Sequence, residues 1–73
     1  MDKQEDKVIE ELRYRTGVGW AICKEAYDYA MKRNGSLNMM IAYVKARTFA
    51  LYSSGSFDDK VDMFLKGIER DGF

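Results

Sequence analysis

The chain of 73 residues is predicted to be all-α, a three-helix bundle with an additional C-terminal helix. Three observations carry that expectation. Proline is absent, so nothing forces a helix interior to break. Apolar residues recur at spacings of three and four in four separate stretches, the signature of amphipathic helices. Between those stretches lie Gly17-Val18-Gly19, Asn34-Gly35 and Ser53-Ser54-Gly55-Ser56, three breaks of turn-forming composition.

The first helix is expected from about Gln4 to Thr16, with Val8, Ile9 and Leu12 as its apolar stripe. Its early acids, Asp2, Glu5 and Asp6, lie near the positive end of the helix dipole. Gly17 suits the cap, because glycine enters the left-handed region without a Cβ clash. Gly19 is expected to let the chain turn again, so that the two helices cross steeply.

The second helix is expected from Trp20 to about Arg33, with Cys23, Ala26, Tyr27 and Ala30 on one face. Asn34-Gly35 stops it. Ser36 then caps a third helix, Leu37 to about Leu51, through its hydroxyl. Leu37, Met40, Ile41, Val44 and Thr48 form one face of it; Met39, Tyr43, Ala46 and Ala50 form a second. A helix apolar on two sides has to be covered on both. The fourth stretch, about Phe57 to Arg70, supplies a cover with the stripe Phe57, Val61, Phe64, Leu65 and Ile68. Ser56-Phe57-Asp58-Asp59 resembles a capping box at its start.

Composition narrows the function. The formal charge is zero, with 12 basic and 12 acidic residues. By segment the balance is −1 over 1–15, +1 over 16–36, +2 over 37–56 and −2 over 57–73. A neutral chain is not built for sequence-independent nucleic-acid affinity, which needs clustered Lys and Arg. The N-terminus is charged, with no leader-like apolar run, and no stretch is long enough to span a bilayer. One cysteine rules out an internal disulfide framework. A cytoplasmic protein with no membrane contact is the expectation.

The turn region carries a family resemblance. Leu12-Arg13, Thr16-Gly17, Gly19, the bulky Trp20, Cys23-Lys24 and Ala26 resemble the N-terminal module of translation elongation factor Ts, which has a ubiquitin-associated (UBA-like) three-helix fold. The likeness continues through Asn34-Gly35 and Ile41-Ala42-Tyr43-Val44-Lys45, and covers roughly half the chain, about Lys7 to Arg47. Trp20 stands where that family has an aliphatic residue or Met, and Ile22 where it has a polar one. The second helix is also a few residues longer. The Thr-Asp-Phe segment that follows this module in the factor is missing, and there is no room for the exchange core. The resemblance implies a UBA-like core over 1–52; the break and the packing helix over 53–73 follow from the residue pattern. The resemblance also implies a habit of binding another protein; it does not imply nucleotide exchange.

By that resemblance the partner is translation machinery, an elongation factor or the ribosome. A module this short fits an accessory or phage-encoded protein. The expected contact residues are Gly17, Val18, Gly19 and Trp20, flanked by Tyr43 and Tyr52. A rigid aromatic on a turn makes a low-entropy anchor. The other reading of Trp20 is a core wedge between the first two helices. Ubiquitin-binding members of the fold use a Met-Gly-aromatic loop; Gly19-Trp20 matches its last two positions and Val18 replaces the Met, so a ubiquitin-like partner ranks lower.

Two further classes compete. Lys32, Arg33, Lys45 and Arg47 would form the basic patch of a helix-turn-helix-like nucleic-acid binder. That reading is disfavoured because the third helix is mostly apolar. A second copy of the chain, making a homodimer, would cover the third helix instead of the fourth. Met31, Met39, Met40 and Met63 are expected to fill the core. Catalysis is not expected: there is no histidine, Cys23 lies on a face that packs, and no phosphate-binding loop follows a strand. No cofactor is expected, and one cysteine without histidine cannot build a zinc site.

Overall fold

The computed structural model describes residues 3–49 and 55–71. Within them the chain forms four helices and no strand: α1 (Lys3–Thr16), α2 (Trp20–Met31), α3 (Leu37–Phe49) and α4 (Phe57–Asp71). The all-α class follows directly from the proline-free periodic pattern.

Local chemistry explains the helix ends. α1 carries Glu5 and Asp6 in its first turn and Arg13 and Arg15 in its last, matching its dipole at both ends. It stops at Gly17, which has φ +75 and donates its N–H to the Arg13 carbonyl over 2.8 Å. α2 ends at Met31, two residues before Arg33. There the Ala30 carbonyl accepts from both Arg33 N–H at 2.9 Å and Gly35 N–H at 2.7 Å, with Gly35 at φ +69. The shorter helix reflects this closing turn, which takes 32–35 out of helical register.

α3 begins as its sequence implies, with the Met39 N–H donating to Ser36 Oγ at 3.1 Å. At α4 the Asp59 N–H donates to Ser56 Oγ at 3.2 Å. Asp58 and Asp59 occupy the first turn, where negative charge is favoured. The expected last turn of α3, beyond Phe49, lies outside the described residues, as do Ser53 and Ser54 of the break.

α3 is the centre. It packs against α1, α2 and α4, and its pairing with α4 is the most extensive in the molecule. Met40, Ile41, Ala42, Tyr43, Val44 and Ala46 are all buried, so the helix is enclosed around nearly its whole circumference. Ile9, Leu12, Cys23, Ala26 and Ala30 meet it from α1 and α2; Val61, Leu65 and Ile68 meet it from α4. The alanines on α2 shorten the approach between helices. Of the methionines, Met40 is in the core and Met39 is packed against it. Met31 and Met63 are each more than half exposed, which corrects the expectation that all four fill the interior. Met63 falls outside the 61–65–68 stripe of α4, and Met31 is the last residue of α2.

Candidate functional site

The turn between α1 and α2 is held by four short-range contacts. Thr16 Oγ1 donates to the Leu12 carbonyl at 2.7 Å and accepts a long 3.5 Å contact from the Val18 N–H. The Cys23 N–H bonds the Gly19 carbonyl at 3.2 Å, and its thiol points at the Val18 carbonyl at 3.9 Å. Only Gly17 needs glycine: Gly19 has φ −72 and ψ 166, ordinary extended backbone, and nothing lies within 4 Å of where its Cβ would be. The second break in direction expected of Gly19 is thus supplied without left-handed backbone. Gly19 is instead the N-cap of α2, with no side-chain cap.

On this fixed turn Val18 is half-buried against the core, and Trp20 leaves 41% of its surface exposed. The indole is therefore partly presented rather than fully enclosed as a wedge. Tyr14, in the last turn of α1, is 89% exposed. By sequence it belongs with Tyr29, Tyr43 and Tyr52 to a set of tyrosines too large for a small core to enclose, so that some of them have to form surface. Its signal was angular: position 14 lies on the far side of α1 from the 9–12 stripe, at 100° per residue.

Tyr43 is where the structure corrects the sequence most clearly. It is only 8% exposed, not a contact face. Its ring sits between Tyr29, centroids 5.0 Å apart, and Phe57, 5.1 Å apart at a steep 76°. Its hydroxyl donates to Glu25 Oε1 at 3.1 Å. The physical reason is α4, whose first residue closes over the ring. Tyr52, the other expected flank, lies outside the described residues.

The four basic residues do not stand as an unpaired cluster. Arg33 reaches Asp58 at 3.3 Å and stacks on the Tyr29 ring 3.6 Å from its centroid. Arg47 pairs with Glu25 and also meets the Tyr43 hydroxyl at 3.2 Å. The Arg47 pKa is raised, first by that Tyr43 contact and further by Glu25. Lys32 is exposed and Lys45 is half-buried.

Several ties join elements far apart in sequence. Lys24 Nζ donates to Glu5 Oε2 at 2.7 Å, linking α2 to α1, and to Asp28 at 3.3 Å. The Glu5 bond raises the lysine pKa, with Asp28 adding to it. A groove of about 920 Å³ opens between the start of α1, the end of α2 and the start of α3. Val8, Tyr27, Met31 and Leu37 make its apolar lining, and Lys7 and Glu11 stand along it on α1.

The described residues hold no group of three His, Cys, Asp or Glu side chains arranged for a metal ion. The Cys23 thiol is buried, and burial pushes its pKa up, with Thr16 and Arg13 opposing. A protonated buried thiol is a poor nucleophile. No described helix is long and apolar enough to cross a membrane.

Fold and surface together define a class, a small all-α domain with a central enclosed helix and an aromatic-bearing turn at one end. No family model matches the chain, and no curated protein or solved structure shows significant similarity to it.

Proposed function

We propose that the chain is a non-catalytic protein-binding module whose anchor is the turn Gly17-Val18-Gly19-Trp20. The observation that carries this reading is the partly exposed indole of Trp20 on a turn fixed by the left-handed Gly17 and the Thr16 and Cys23 contacts. A large aromatic held in place before binding loses little entropy on association, and such residues recur at interface hot spots. The exposed Tyr14 adds aromatic surface at the same end of α1.

The resemblance of 12–26 to the UBA-like module of elongation factor Ts supports translation machinery, an elongation factor or the ribosome, as the partner class. The same resemblance suggests an accessory or phage-encoded protein that borrows such a contact. A ubiquitin-like partner ranks below these because Val18 stands where a methionine would be. The pairing of Arg33 with Asp58 and of Arg47 with Glu25 counts against a nucleic-acid role, because neither cation stands alone.

The test is an affinity pull-down from a bacterial lysate with wild type and Trp20→Ala, identified by mass spectrometry, with a nuclease-treated arm. The expected result is one dominant protein, indifferent to nuclease and lost in the variant, whose circular dichroism remains helical. Loss of an anchor of this kind weakens binding by about 2 kcal/mol or more, roughly thirtyfold. Capture of nuclease-sensitive material alone would overturn the proposal. Unfolding of the variant would restore the wedge reading of Trp20.

A further inference from the structure

We infer that α4 is a strap that opens as a unit while α1, α2 and α3 stay folded, and that Asp58 is its latch. By backbone proximity α4 lies against α3 alone and reaches α2 only through the side chains of Phe57 and Asp58, whereas α1, α2 and α3 each pack on two or more partners. Removing α4 therefore breaks its interface with α3 and these few side-chain ties to α2, and leaves the α1–α2, α1–α3 and α2–α3 pairings intact. The side chains that remain, Ile9, Leu12, Cys23, Ala26 and Ala30, are all fully buried and belong to α1 and α2. Sub-global opening proceeds in contiguous cooperative units, and a helix docked through one interface is such a unit.

The placement of residues on α3 agrees with this division. Leu37 and Met40 line the groove shared with α1 and α2. Ala42 and Ala46, also buried, lie about 200° around the helix from Met40 and Val44. α4 is the helix left to cover them, through Val61, Leu65 and Ile68. Opening uncovers this second face of α3 together with the Tyr43 ring.

The side-chain ties from α4 to α2 are concentrated in its first two residues. Phe57 meets the Tyr29 ring edge-on at 6.0 Å. Asp58 Oδ1 accepts from the Tyr29 hydroxyl at 2.6 Å and from Arg33 at 3.3 Å. One carboxylate thus holds two groups of α2 against the start of α4. The next buried residues, Val61, Leu65 and Ile68, form a single stripe that slides free of α3 once the start of the helix lets go.

Amide hydrogen exchange on the full chain, followed helix by helix in zero and low denaturant, tests this with wild type, Asp58→Ala and Glu69→Ala. In wild type the slowest amides of α4 are expected to exchange faster than the slowest of α2 and α3, with a clear denaturant dependence smaller than that of global unfolding. Asp58→Ala should speed α4 by about fivefold, the scale of one hydrogen bond, and leave α2 and α3 unchanged. Glu69→Ala, at an exposed site on the same helix, should change nothing. Equal protection of α4 and the core in wild type would overturn the strap. An acceleration of all four helices by Asp58→Ala, or of none, would overturn the latch.

Discussion

The Tyr29 hydroxyl donates to Asp58 Oδ1 over 2.6 Å, joining α2 to α4 across 29 positions of sequence. The bond is short because its acceptor is charged. Arg33 completes the arrangement, stacked on the Tyr29 ring and bonded to the same carboxylate oxygen. The ring itself packs on Tyr43 and Phe57, so one side chain takes part in both the aromatic packing and the polar tie. These contacts push the Tyr29 pKa up to about 12, mainly through burial and then through the bond to Asp58, with Arg33 opposing.

That shift sets an alkaline stability dependence. An unfolded tyrosine ionises near pH 10, so above that pH the unfolded chain loses a proton that folded Tyr29 keeps. The contribution is present in full below about pH 10 and is lost as pH rises toward 12. Urea midpoints of wild type and Tyr29→Phe should therefore differ at pH 8, by about 0.5–1 kcal/mol for a hydrogen bond at a part-exposed site. The gap should close as pH approaches 12. A gap that stays constant would mean the hydroxyl is not held as described.

Gly67 offers the opposite kind of change. It lies inside α4 with ordinary helical backbone, and a Cβ there would meet nothing within 4 Å. Gly67→Ala should stabilise the domain by roughly 0.5–1 kcal/mol, because alanine gives up less backbone entropy on entering a helix. Thermal unfolding followed at 222 nm checks it. A decrease in Tm would show that α4 needs the flexibility of glycine at this point.

The helices themselves were legible because each of their signals is local. Ser36, Ser56, Gly17 and Gly35 punctuate the chain within a few residues of the ends they cause. The double-sided character of α3 was legible too, since Met39, Tyr43, Ala46 and Ala50 recur on a second face that has to be covered. What spacing could not give was which rings that cover would hide. Tyr43 and Tyr14 are both tyrosines on helices, yet one is buried under Phe57 and the other is almost bare. The difference arises from α4, more than a dozen residues away from Tyr43 in sequence. The Lys24–Glu5 and Arg47–Glu25 pairs escaped notice for the same reason, because helix-surface rules reach only three or four positions.

Cys23 reports on the packing of α2. Its side chain is fully buried and its pKa is raised by that burial, so the reactive thiolate is scarce and inaccessible. At pH 8 a thiol reagent such as DTNB should modify the folded protein at least about a hundredfold more slowly than the urea-unfolded chain, since reaction requires opening. Prompt stoichiometric reaction without denaturant would mean that α2 does not pack on the core as placed.

The two glycines of the α1–α2 turn should respond in opposite directions. Gly17 sits at φ +75, where any other L-residue has its Cβ against the following backbone, although the space around it is open. Gly17→Ala should therefore cost about 1 kcal/mol from backbone strain alone. Gly19 sits at φ −72, ψ 166, the conformation of a helix N-cap, and carries no side chain to accept from the first turn of α2. Its replacement by Ser supplies that acceptor with no steric neighbour to displace, and should add a few tenths of a kcal/mol. Because Gly19 adjoins Trp20, the same pair of variants separates stability from recognition. Gly17→Ala also shifts the direction in which the indole is presented and should weaken partner capture, whereas any loss of capture in the more stable Gly19→Ser reports on contact at the turn itself. Chemical denaturation of both variants alongside the pull-down decides the matter. Destabilisation by Gly19→Ser as large as that by Gly17→Ala would show that the turn needs both glycines and that its geometry differs from the one described.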